Sequence, residues 1–200
     1  KIAELLAAGQ QPSQPVDHIY DASESVLLPG LINTHHHFYQ TLTRAWAPVV
    51  NVPLFPWLKK LYPVWARLGP EALGLASRVA MAELLLSGCT TTTDHHYLFP
   101  QGMEEAIDVQ VGVVRELGMR ALLTRGSMSL GEEQGGLPPE QTVQSGEVIL
   151  QDSQRLIDRY HQRGEGAWMQ IALAPCSPFS VTTEIMRESA RLAQREDVRL

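Results

Sequence analysis

The chain has 200 residues, of which 44% are hydrophobic and 19% charged, with a formal net charge of −6. That composition excludes a disordered or fibrous chain and supplies enough apolar material for one substantial core. The acidic balance also argues against a phosphate-tracking surface, because nucleic-acid affinity rests on Lys and Arg, and so it favours a small-molecule ligand. Cys89 and Cys176 lie far apart and in no metal-ligand spacing, which predicts free thiols in a reducing, cytoplasmic compartment. No apolar run is long enough to cross a bilayer, and residues 1–10 lack the basic start and apolar centre of a signal peptide.

In chain order, residues 1–25 are mixed: Gln10 to Pro15 read as a loop and His18-Ile19-Tyr20-Asp21 as a short strand at the edge of a small β domain. From Val26 the pattern becomes apolar strand then helix, repeated, which is the signature of a parallel sheet with crossover helices. The first strand is predicted over 26–34. A long connection rich in Trp and Pro follows, and then a helix over 70–86, started by Pro70 and stopped by Ser87-Gly88. Threonine-rich residues 89–94 read as the second strand, 103–117 as a helix, and 120–124 as the third strand. A glycine-rich loop over 126–139 leads to a helix over 148–161. The fourth strand is predicted over 168–174, the last helix over 182–195, and residues 198–200 resemble the opening of a fifth strand. Four βα units and a fifth strand starting are half of a (β/α)8 barrel, whose chemistry collects at the C-terminal ends of the strands. The rival architecture is an open doubly wound sheet, but its first βα turn would be glycine-rich if it bound a nucleotide, and here that turn is rich in histidine.

His35-His36-His37 stands at the end of the first predicted strand. Strand side chains alternate, so His35 and His37 share a side and His36 points away. Neutral imidazoles paired at a strand end suit zinc, iron or another first-row ion. Two histidines fall short of the three or more protein ligands a catalytic ion commonly has. His95 and His96, at the next strand's end, either add to the set, contact the substrate, or are plain surface or core histidines.

At this point the residues carry a resemblance. Leu28-Pro29-Gly30-Leu31-Ile32-Asn33-Thr34-His35-His36-His37 is similar to the Pro-Gly-x-x-x-x-His-x-His signature of the amidohydrolase superfamily. Gly88-Cys89-Thr90-Thr91-Thr92-Thr93-Asp94 resembles the second-strand segment of its deaminase and chlorohydrolase branch, and Leu173-Ala174-Pro175-Cys176-Ser177-Pro178 resembles the end of that branch's fourth strand. The resemblance implies an α/β fold: the N-terminal half of a distorted (β/α)8 TIM barrel over 26–200, with 1–25 as part of a small β-sandwich. It implies that His35 and His37 bind one divalent metal ion, zinc with iron as the alternative. The remaining ligands and the catalytic carboxylate are expected on later strands, beyond Leu200, so no catalytic acid or base is expected among these residues. Binuclear members often carry a bridging lysine at the end of strand four. Here the lysines are Lys1, Lys59 and Lys60, which favours a single ion.

The implied chemistry is hydrolytic, a metal-activated water attacking a ring carbon that bears an amino group. The string from His35 to Arg44 most resembles branch members acting on oxidised purines and hydroxytriazines, which makes 8-oxoguanine, converted to urate and ammonia, the specific expectation. An aminohydrolase or chlorohydrolase acting on another nitrogen heterocycle (guanine, a pterin, a hydroxytriazine), or a non-catalytic scaffold, are the alternatives. Gln40 is the first candidate for substrate contact, because a carboxamide offers both donor and acceptor to a purine-like edge. Trp57 can cover the pocket or build an interface between subunits of a homo-oligomer. Cys176 can pack against a ring or simply fill space. Arg125, at the end of strand three, meets a substrate carbonyl or forms a structural ion pair.

Overall fold

The structure, a computed structural model, describes residues 2–200. Four strands, β1 (Leu31–Asn33), β2 (Cys89–His96), β3 (Arg120–Ser127) and β4 (Met169–Pro175), form one sheet in the order β1-β2-β3-β4, every neighbouring pair parallel. Helices α1 (Leu54–Trp65) and α2 (Pro70–Leu86) join β1 to β2; α3 (Ala106–Leu117) and α4 (Gly146–Tyr160) make the next two crossovers, and α5 (Thr183–Glu196) follows β4. Strands laid down in sequence order with a helix after each make half of a (β/α)8 barrel, whereas a doubly wound sheet reverses its order at a switch point.

Local chemistry explains the helix starts. Pro70 occupies the first turn of α2, where its missing N–H is not needed. Ser145 and Thr182 cap α4 and α5, their hydroxyls accepting from the amides of Val148 and Ile185. Along β2 burial alternates: Cys89, Thr92, Asp94 and His96 are buried, and Thr91, Thr93 and His95 only partly so. The buried face packs on the helices. Its core includes Leu73, Leu123, Leu156 and Ile171, all at 0% exposure.

The structure departs from the sequence reading at four places. The first strand spans only Leu31–Asn33, because β2 offers its backbone only from this level: Leu31 N–H donates to the Gly88 carbonyl, at 2.9 Å. Residues 26–30 are extended without a partner, and Leu27 is 92% exposed. Gly30 is required at the crossing, since a Cβ there would come within 2.8 Å of Thr90 Cβ. Second, residues 18–21 form no strand; among the described residues, 2–30 hold no helix or strand, so backbone groups there have no ladder to join. Lys1 lies outside the described residues. Third, the Trp- and Pro-rich connection contains α1, a full helix. Its prolines hide it from a pattern reading: Pro53 is the N-cap, Pro56 sits in the first turn, and Pro63 falls near the C-terminal end. Fourth, residues 198–200 form no strand, although Leu173 N–H already donates to the Arg199 carbonyl beside β4, at 3.0 Å.

The loops at the C-terminal ends of β3 and β4 are tied to each other. Ser129 and Leu130 amides donate to the Ser180 carbonyl, and Leu137 N–H to the Phe179 carbonyl. That linkage forms one wall above the strand ends.

Candidate active site

Beyond Asn33 the chain still runs alongside β2, His95 N–H donating to the His36 carbonyl at 2.8 Å. The rings of His35 and His37 meet with centroids 4.9 Å apart, and His95 joins them at 4.6 Å from His35 and 6.0 Å from His37. His36 turns away and packs on Phe38, at 5.1 Å. His37 Nδ1 lies 2.7 Å from the His95 carbonyl oxygen. A carbonyl only accepts, so Nδ1 carries the proton and Nε2 keeps its lone pair in the neutral ring. Burial, with the neighbouring histidines, pulls the His37 pKa down to about 4. The ring is therefore neutral at physiological pH, the state a metal ligand needs. Burial also lowers the His95 pKa.

Asp94 fixes where this cluster sits. It is fully buried, and its Oδ1 accepts from Phe38 N–H at 2.7 Å while Oδ2 accepts from Gln110 Nε2. The first bond anchors the residue directly after His37 and starts the 3-10 turn Phe38–Thr43. Desolvation raises the Asp94 carboxyl to about 7. In the sequence Asp94 shows only as the end of the Gly-x-Thr-Thr-x-x-Asp segment, and the run Thr90 to Thr93 gives no apolar parity that would mark it as buried.

Two clefts meet at the cluster. The first, about 540 Å³, is lined by the histidine triplet, Arg44, Trp46 and Glu83 among others. The second, about 400 Å³, is lined by Tyr62, Tyr97, Cys176 and the apolar side chains of α1. His37, Gln40 and Trp57 border both. Gln40 Nε2 donates to the Tyr39 hydroxyl at 3.2 Å. Trp57 stands on α1 rather than on a loop, and Cys176 is held by its amide donating to the Ser127 carbonyl, with burial pushing its thiol pKa up.

The structure thus gathers Gln40, Trp57 and Cys176 around His37, with His95 in the histidine cluster. His96 and Arg125 are placed elsewhere, on the helix-facing side of the sheet where they pair in register. His96 is fully buried, its Nε2 2.7 Å from the Leu98 carbonyl, and its ring packs against Phe99 and Tyr39. Arg125 is 2% exposed: Nε donates to Asp152 on α4 at 2.7 Å, Nη2 to Gln144 at 2.8 Å, and the guanidinium lies 3.8 Å over the Phe99 ring. These bonds leave Arg125 the structural ion pair weighed against substrate contact.

The donor set fits a metal that His35 and His37 would hold in part. Among the described residues no group of three or more His, Cys, Asp or Glu side chains is arranged to hold an ion. A pair of imidazoles, one with its tautomer fixed, would contribute part of a ligand set.

With this geometry in view, the comparisons place the chain. Residues 26–200 match the model of the amidohydrolase family, and the chain belongs to that family. Across all 200 residues it is 76% identical to 8-oxoguanine deaminase of Pseudomonas aeruginosa, covering 100% of this chain and 44% of that protein. It is 37% identical over 175 residues to hydroxydechloroatrazine ethylaminohydrolase of Pseudomonas sp. strain ADP, covering 86% and 36% of the two chains. Among solved structures it resembles atrazine chlorohydrolase from Arthrobacter aurescens TC1, complexed with zinc, with a TM-score of 0.81, 32% identity, and 86% and 40% coverage. The chain spans less than half the length of these relatives.

Proposed function

We propose that the full-length protein is a metal-dependent aminohydrolase that converts 8-oxoguanine and water to urate and ammonia. The observation that carries this reading is the 76% identity to an 8-oxoguanine deaminase along the whole chain. The site supports it: the imidazoles of His35 and His37 at a strand end, beside a 400 Å³ cavity of the size small-ligand pockets have. His35 and His37 would hold one divalent ion, zinc in this reading, with iron as the alternative. When bound, the ion supplies an acidified water for attack on the ring carbon bearing the amino group. His37 Nδ1 is tied to the His95 carbonyl, so the imidazole keeps its orientation. Trp57 and the apolar side chains of α1 would cover the heterocycle and exclude bulk water, while Gln40 and Cys176 contact its edge. The proton-relaying carboxylate and the remaining ligands are expected from chain beyond Leu200.

In the same reading residues 1–25 contribute to a small β-sandwich completed by other chain, and the full protein is a cytoplasmic homo-oligomer. Exposed Trp46 and Phe55 are candidates for its interface. No described helix is long and apolar enough to cross a membrane. The test is ammonia release by the full-length, metal-loaded protein from 8-oxoguanine, guanine, isoxanthopterin and hydroxyatrazine. 8-Oxoguanine is expected to be the best substrate; no ammonia from it overturns the assignment.

A further inference from the structure

Three tyrosines from separate parts of the chain converge beneath the second cavity: Tyr39 in the turn after the triplet, Tyr62 on α1, and Tyr97 just past β2. They are 0%, 2% and 9% exposed. Their rings are locked edge-on, Tyr39 on Trp65 at 5.1 Å, Tyr39 on Tyr97 at 5.9 Å, and Tyr62 on Trp65 at 5.9 Å. Glycine at position 126 is needed for this packing, because a Cβ there would come within 2.6 Å of Tyr97 Cβ. Burying a phenol is costly unless its hydroxyl finds a partner.

Two groups on the cavity wall are placed to meet a ligand edge, the Gln40 carboxamide and the Tyr97 phenol. Tyr39 oxygen receives Gln40 Nε2, which leaves Gln40 Oε1 as a free acceptor for a ligand N–H. The Tyr97 ring stands edge-on to both Tyr39 and His37, at 5.9 and 5.4 Å. A phenol has one proton to donate, and a ligand acceptor in the cavity is a partner within reach of the Tyr97 hydroxyl. Tyr97 and Gln40 both line the 400 Å³ cavity, whereas Tyr39 does not.

We infer that Tyr97 donates its hydroxyl proton to a ring carbonyl of the ligand while Gln40 Oε1 accepts from the adjacent ring N–H, and that Tyr39 is the positioning residue for both. The site would thereby select cyclic amides, heterocycles carrying C=O next to N–H, over rings that lack a carbonyl at that edge. This inference rests on the deaminase reading above and deepens it.

The test uses the full-length, metal-loaded protein, with KM and kcat for 8-oxoguanine, the inhibition constant of urate, and metal content measured for wild type, Tyr97→Phe and Tyr39→Phe. In Tyr97→Phe, KM and the urate constant should rise by roughly tenfold or more, as loss of a partner to a buried polar group does. kcat should change by less than about threefold, the mark of an interaction made equally in ground and transition states. Tyr39→Phe should raise both constants by about three- to tenfold, because Gln40 loses its tether. Values within about twofold of wild type in Tyr97→Phe, or a fall in kcat with KM unchanged, would overturn the inference. Should Tyr97→Phe fail to fold or lose metal, Tyr39→Phe decides: unchanged constants there refute the positioning. If wild type releases no ammonia from 8-oxoguanine, the function fails separately; calorimetric binding of 8-oxoguanine to wild type and Tyr97→Phe then still judges the tyrosine.

Discussion

His95 and His96 are neighbours in sequence and belong to two different regions of the molecule. His95 joins the histidine cluster on the open face of the sheet, and His96 is sealed on the helix-facing side with Asp94 and Arg125. Both faces carry polar groups at the C-terminal end of a strand. On the open face the imidazoles stand beside a cavity; on the closed face Asp94, His96 Nε2 and Arg125 are held by internal bonds, while His96 Nδ1 and Gln110 Oε1 have no partner. Residue type and position along a strand therefore do not define a site. The face does, because only one side of a half-barrel is left to a ligand.

Substitutions on the two faces should separate binding from stability in the full-length protein. The largest effect is expected for His37→Ala, which should abolish stoichiometric metal by elemental analysis and reduce kcat/KM by about a thousandfold or more. Its stability should change far less. Retained metal with full activity would erase the distinction between the faces. On the closed side, Arg125→Ala removes the buried bonds to Asp152 and Gln144, although Asp152 keeps Arg155, and should destabilise by about 2–3 kcal/mol in denaturant titration, with metal content kept in the folded fraction.

Asp94→Ala leaves the Phe38 amide and Gln110 without their acceptor and should cost about 2–3 kcal/mol. Asp94→Asn should cost less, since the amide still accepts from Phe38 and Gln110 can turn its own oxygen toward it. The aspartate also sets a pH dependence. Its carboxyl is raised from 3.8 to about 7, so the folded state holds the proton more tightly than the unfolded chain. Its contribution to stability is complete below the unfolded value and lost as pH climbs through about 7. Denaturant titrations from pH 4 to 8 should show that slope in wild type and its loss in Asp94→Asn. The smallest effect is expected for Arg44→Ala. The Arg44–Glu83 pair is bidentate but both side chains are about half exposed, so removing it should cost under about 1 kcal/mol. A larger loss would mean that the first cleft's rim matters to the fold.

Much of this was legible in the chain itself. The strand–helix grammar located β2, β3, β4 and four of the five helices, because alternation and helix caps are local signals. The same alternation separated His35 and His37 from His36. Applied one strand later it would also have separated His95 from His96, and Arg125 from Thr124, had the buried face of that strand been known. It was not, since Thr90 to Thr93 are chemically alike and offer no apolar parity to read. α1 escaped because its three prolines mimic a loop when their positions within the helix are unknown.

By itself, then, the sequence determined the order of the elements, their periodicity, and the histidine pair, all set by interactions within a few residues. Tertiary structure alone decided which face of β2 meets the cavity and that Asp94 anchors Phe38. It also turned Arg125 to α4 and brought Tyr39, Tyr62 and Tyr97 to one point. Those are contacts between residues tens of positions apart, and their partners are chosen by packing around a shared core rather than by any pattern along the chain.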